Sequence, residues 1–121
     1  MTSSGGSNVS DGGPEVPEVV SRYQRAHDRR DTEVALSAFA PDARVADDGQ
    51  EYQGSEAIRR WLSTAASEYT FTRTLVSAES LGDGRWLVVN HLEGDFPGGV
   101  VTLRYEFTVT GGLISELVIA P

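Results

Sequence analysis

Hydrophobic residues recur at helical spacing in the first half of the chain and alternate in the second, with the change near Tyr69. Val19, Val20, Tyr23, Ala26 and His27 form one apolar stripe, which predicts an amphipathic helix over residues 16–29. Asp31 is placed to cap a second helix that carries Val34, Ala35, Ala38 and Phe39 on one face, with Pro41 as its stop. Residues 43–53 are short and extended on either side of Asp48-Gly49, a two-residue turn signal, and so predict a small hairpin. Gly54-Ser55 opens a third helix, with Ser55 as cap and Ala57, Ile58, Trp61, Leu62, Ala65 and Ala66 as its stripe. From Tyr69 onward the pattern predicts four strands, over 69–80, 85–93, 100–109 and 113–119. Gly82-Asp83-Gly84, Pro97-Gly98-Gly99 and Gly111-Gly112 punctuate them. In the third of these, Val101, Leu103, Tyr105 and Phe107 share one face, and Thr102, Arg104, Glu106 and Thr108 share the other.

The order α-α-β-β-α-β-β-β-β segregates helices from the long strands, so the class is α+β rather than α/β. A curved mixed or antiparallel sheet wrapped around three N-terminal helices makes a cone whose inner face encloses a pocket. Residues 1–14 are rich in Ser and Gly with few hydrophobes, and predict a disordered tail before one domain over 15–121. A chain of 121 residues holds no second core.

Composition narrows the function classes. The net charge is −8 and all ten cations are Arg, a field that opposes a nucleic-acid backbone. With no cysteine, disulfides and thiolate metal sites are excluded. His27 and His91 are too few and too far apart to predict a metal site, and no Gly-rich phosphate loop is present. No run of roughly 18 apolar residues marks a membrane span. The first residues carry no secretory pattern, which predicts a cytoplasmic protein.

Three stretches carry a family likeness: "RYQRAH", "ALSAFAPDARVADDG" and "YQGSEAIRRWL", followed by "YEFTVTGGLISELVI" at the end of the meander. Together they resemble the ketosteroid isomerase and SnoaL-like polyketide cyclase branch of the NTF2-like superfamily, over about residues 17–120. The resemblance implies the cone fold, a hydrophobic small-molecule ligand, no cofactor and pairing into a homodimer through the sheet. It also implies a general base at Asp47 and an oxyanion-binding hydroxyl at Tyr23. The family's third group, a protonated acid on the penultimate strand, falls on Leu103, and neither Thr102 nor Arg104 restores a carboxylic acid. Loss of one such donor costs on the order of 10²–10³ in rate.

Each candidate also has a plainer reading. Asp47, after Val45 and Ala46, is a usable base if it faces a pocket that raises its pKa. Beside Asp48 and Gly49 it also fits simple turn chemistry. Tyr23 is either a pocket hydroxyl or a core tyrosine. His91 and Asn90 lie on opposite faces of one strand. His91 is a candidate second acid/base group, as in related dehydratases, or a structural histidine beside Glu93. Trp61, Phe71, Trp86, Tyr105 and Phe107, with Asn90 and Leu103, are the predicted pocket lining, although aromatic stripes most often build core. Arg59-Arg60 and Glu116 read as surface residues.

The expected function is that of an isomerase, cyclase or dehydratase acting on a hydrophobic carbonyl compound of polyketide, terpenoid or steroid type. The alternative is a non-catalytic ligand-binding or dimerising protein of the same fold, which Leu103 favours.

Overall fold

The computed structural model describes residues 16–64 and 68–121. Three helices, α1 (Glu18–Asp28), α2 (Thr32–Ser37) and α3 (Gly54–Ser63), fall in the first half, with strands β1 (Phe39–Asp47) and β2 (Gln50–Gln53) between the last two. Four strands follow: β3 (Phe71–Gly82), β4 (Arg85–Gly94), β5 (Val100–Thr110) and β6 (Leu113–Ala120). They form one six-stranded sheet in the order β2-β1-β6-β5-β4-β3. All neighbours are antiparallel except β1 and β6, which pair in parallel. That one parallel pairing joins the first hairpin to the meander, and the mixed, curved sheet makes the α+β cone that the pattern predicts.

Core packing follows the two periods. Val19, Val20, Tyr23 and Ala26 of α1 and Ile58, Trp61 and Leu62 of α3 are buried. They pack in one cluster with Val88, Tyr105, Phe107, Ile114 and Leu117, which the strands turn inward. Asp31 caps α2 as expected, its Oδ1 accepting the Val34 N–H at 3.2 Å. Ion pairs lace the helices to each other and to the sheet: Arg59 with Glu33 joins α3 to α2, and Arg73 with Asp28 joins β3 to the end of α1.

The β1–β2 turn fixes the geometry that matters for the site. Asp48 and Gly49 have φ of 54° and 78°, the two positive values of a type I′ hairpin turn. Asp47 pairs with Gln50 across it, so Asp47 is the last strand residue and not part of the turn.

Three local expectations need correction. The second helix ends at Ser37, and Phe39 opens β1 instead of extending the helix face. Pro41 lies within β1, where the register with β6 shifts between Phe39 and Arg44; a bulge tolerates the missing N–H. Helix α3 begins at Gly54 after Gln53, and no side chain caps it, so Ser55 is not its cap. The predicted tail over 1–14 and the stripe positions Ala65 and Ala66 lie outside the described residues.

Candidate functional site

The site begins at the end of β1. Asp47 is half-buried there, and the indole Nε1–H of Trp61 on α3 donates to its Oδ2 at 3.0 Å. Burial raises the Asp47 pKa; the Trp61 bond, which favours the carboxylate, partly offsets this, and neighbouring Asp48 adds to the rise. A desolvated carboxylate held by a single donor keeps a free oxygen for proton transfer.

Two phenols face the same space. Tyr23 of α1 is 2% exposed and Tyr105 of β5 is 8% exposed. Burial pushes the Tyr23 hydroxyl well above the usual phenol value, with nearby Tyr105 the next cause. Burial likewise pushes Tyr105 up to about 12. Both therefore stay protonated at neutral pH and act as donors. Among the described residues neither hydroxyl has a hydrogen-bond partner. Tyr23 is fixed instead by edge contacts to Phe39 and Phe107, with ring centroids at 5.3 and 5.9 Å.

These groups open onto a cavity of about 700 Å³, within the range of small-molecule sites. Six of the residues singled out from sequence line it: Tyr23, Asp47, Trp61, Phe71, Leu103 and Tyr105. The others do not. His91 points to the opposite face of β4, where its ring contacts Glu93 Oε2 at 3.1 Å and Thr102 Oγ1 at 3.3 Å. Strand alternation decides this: Val88, Asn90 and Leu92 are the buried residues of β4, and His91 lies between two of them. His91 is thus withdrawn as an acid/base candidate for this cavity. Phe107 and Asn90 are fully buried behind the wall, and Trp86 packs against the core further along β4. Glu116 pairs with Arg44 at the surface.

Several wall residues were not singled out as site residues. Tyr52 of β2 packs against Trp61 at a centroid distance of 6.1 Å. His27, one turn after Tyr23 on α1, stacks on it at 6.0 Å and also lines the cavity. The i, i+4 spacing from Tyr23 was the available signal for His27. Asp48, Glu68, Tyr69 and Phe96 stand at the mouth. Tyr69 and Phe96 form an edge-to-face pair at 6.1 Å, and Arg30 stacks over Phe71 at 5.3 Å. Among the described residues no three His, Asp or Glu side chains cluster to hold a metal ion. No described helix is long and apolar enough to cross a membrane.

The SnoaL-like domain profile matches residues 20–117, most of the chain. The chain belongs to the SnoaL-like domain family. Among solved structures, a Sinorhizobium meliloti protein provisionally named a polyketide cyclase is 37% identical, with 87% of this chain and 95% of that one covered at a TM-score of 0.81. A Catenulispora acidiphila protein with a ketosteroid isomerase-like fold, solved with trimethylamine, is 19% identical (88% and 87% covered, TM-score 0.76). A Mycobacterium tuberculosis protein solved with estradiol-17beta-hemisuccinate is 20% identical (85% and 90% covered, TM-score 0.71). The last two likenesses concern the fold alone. No curated protein matches the chain. In this SnoaL-like domain, then, an apolar Leu103 stands on the cavity wall where the resemblance places an acid, and Tyr105 stands two residues further along the same face.

Proposed function

We propose that this SnoaL-like domain is a cofactor-independent isomerase, cyclase or dehydratase that abstracts a proton next to a carbonyl in a hydrophobic substrate. The carrying observation is the convergence of one desolvated carboxylate, Asp47, and two unpartnered phenols, Tyr23 and Tyr105, on one cavity. Asp47 takes the proton. Burial raises its pKa and so brings it closer to that of an acidic C–H. As the C–H electrons move into the carbonyl, negative charge grows on oxygen, and the phenols donate to it from fixed, dry positions. In this reading Tyr105 supplies the second hydrogen bond that Leu103 does not. Trp61 is a positioning residue: it holds one carboxylate oxygen and leaves the other for the substrate.

Asp47→Asn should lower turnover of a genuine substrate by at least about 10², the lower end of general-base contributions. Tyr23→Phe and Tyr105→Phe should each cost about 10²–10³ if each is an oxyanion donor. A phenol that mimics the enolate should bind and move the Asp47 carboxyl resonance. Unchanged turnover in Asp47→Asn refutes the reading.

The second reading is a ligand-binding protein without catalysis, and Leu103 is what favours it. It predicts phenol binding that Asp47→Asn leaves intact and no turnover of any activated ketone.

A further inference from the structure

We propose that the ligand of this cavity carries a positively charged nitrogen: an amine or quaternary ammonium attached to the apolar, carbonyl-bearing body. This rests on the reading of the cavity as the substrate site and names the class of substrate within it.

The argument starts from the wall. Asp47, Asp48 and Glu68 line the cavity, and among the described residues no Arg does. Two Arg that flank the cavity's lining residues are already engaged. Arg73 pairs with Asp28, and Arg30 lies over the Phe71 ring and donates to the Tyr69 carbonyl. Around the carboxylates stand aromatic pairs. Tyr52 and Trp61 pack together beside Asp47, and Tyr69 and Phe96 pack together beside Glu68. Ring faces attract a cation through their quadrupoles, more strongly where water is excluded, and adjacent carboxylates add Coulomb attraction. An anionic ligand would meet three carboxylates and no Arg on the wall, with His27 as the one basic side chain among the described lining residues, in a chain whose net charge is −8. A second feature independently marks the space as a ligand site. The Tyr23 hydroxyl belongs to a residue that is 2% exposed, lines the cavity and has no partner among the described residues. A hydroxyl that opens onto the cavity in this way is placed to donate to a ligand or water there.

Three probes of one shape test this: phenyltrimethylammonium, tert-butylbenzene and benzenesulfonate, with positive, zero and negative charge on the same body. Binding is followed by tryptophan fluorescence and by the NMR shift of the Trp61 indole N–H, assigned with Trp61→Phe. The cation should bind about tenfold more tightly than the neutral probe, a cation–π-sized advantage, and the sulfonate most weakly. Asp48→Asn combined with Glu68→Gln, its fold checked by circular dichroism, should cut that advantage to about threefold or less. Neutral or anionic preference, or an advantage that the double variant leaves intact, overturns the proposal. If a phenol enolate mimic binds while the cation does not, only the charge inference falls. If neither binds, the reading of the cavity as a substrate site falls with it.

Discussion

Asn90 should be a position where the protein becomes more stable when a polar side chain is removed. It is 0% exposed on β4, facing the helices, with Leu75 and Leu103 as its cross-strand neighbours. Neither its Oδ1 nor its Nδ2 has a hydrogen-bond partner among the described residues. A buried polar group without a partner costs on the order of 1–3 kcal/mol. Leu has the same branching and the same number of side-chain heavy atoms, so Asn90→Leu exchanges polar for apolar atoms with little change of shape. A gain of about 2 kcal/mol follows, and in a domain of about 100 residues that corresponds to a rise of roughly 8–16 °C in Tm. A thermal melt by circular dichroism or calorimetry reads it directly. A lower Tm would refute the reasoning, because it would mean that an internal water satisfies the amide and that Leu displaces it. The position also bears on function. Leu92, the next inward residue of β4, and Leu103 both line the cavity, so the unsatisfied amide lies immediately behind its floor.

The remaining predictions concern Asp47, its donor and the cavity mouth. Under the proposed mechanism the reaction needs the Asp47 carboxylate, so kcat/KM should fall in acid with a limb above that of an ordinary aspartate, since burial raises this group. The same shift sets a stability pattern: a raised folded pKa favours the protonated form, so its contribution is full below the unfolded pKa and is lost as pH rises through the folded one. Asp47→Asn should therefore raise Tm at neutral pH, with the gain shrinking as pH falls toward the ordinary value of 3.8. Trp61→Phe removes the bond that lowers the Asp47 pKa, so the acid limb and the NMR titration of Asp47 should both move to higher pH. Gly94→Ala would place a Cβ 2.3 Å from the Thr70 carbonyl oxygen and 2.7 Å from Phe71 Cβ. It should cost about 1–3 kcal/mol in a melt, and it should weaken probe binding because Phe71 lines the cavity.

Much of this architecture is legible in the sequence because its signals are local. The stripe through Val20 and Tyr23, the Asp31 cap and the Asp48-Gly49 turn each specify their own element within a few residues. The misreading at Phe39 has a non-local cause. Ala38 and Phe39 extend the helical stripe just as well, but the Ala38 carbonyl accepts the Ile114 N–H at 2.8 Å, and Phe39 pairs with Ile114 on β6. That parallel contact with a strand some 75 residues later draws the chain out of the helix, and a local window holds no trace of it.

The site divides along the same line. Tyr23 and Asp47 come together through α1 and the β1 hairpin, elements whose inward faces the pattern does specify. On β4 the pattern is silent: Leu87 and Val89 are apolar on one parity, Val88 and Leu92 on the other, so either His91 or Asn90 fits the inner face until pairing with β5 sets the choice. The same pairing sets which β5 residues face inward. Leu103 is matched with Asn90, and Tyr105 with Val88, so the β5 residues facing inward are an apolar one at the acid's place and a phenol two positions on. The absence of a carboxylic acid at Leu103 is therefore visible in the sequence, as is Tyr105 on the same face, whereas it is the register that turns this face inward. A proton donor shifted by two residues along the strand reaches a different part of the cavity. Under the proposed mechanism, the substrate oxygen would then lie nearer Tyr105 than the family's usual geometry implies, and the substrate would differ accordingly.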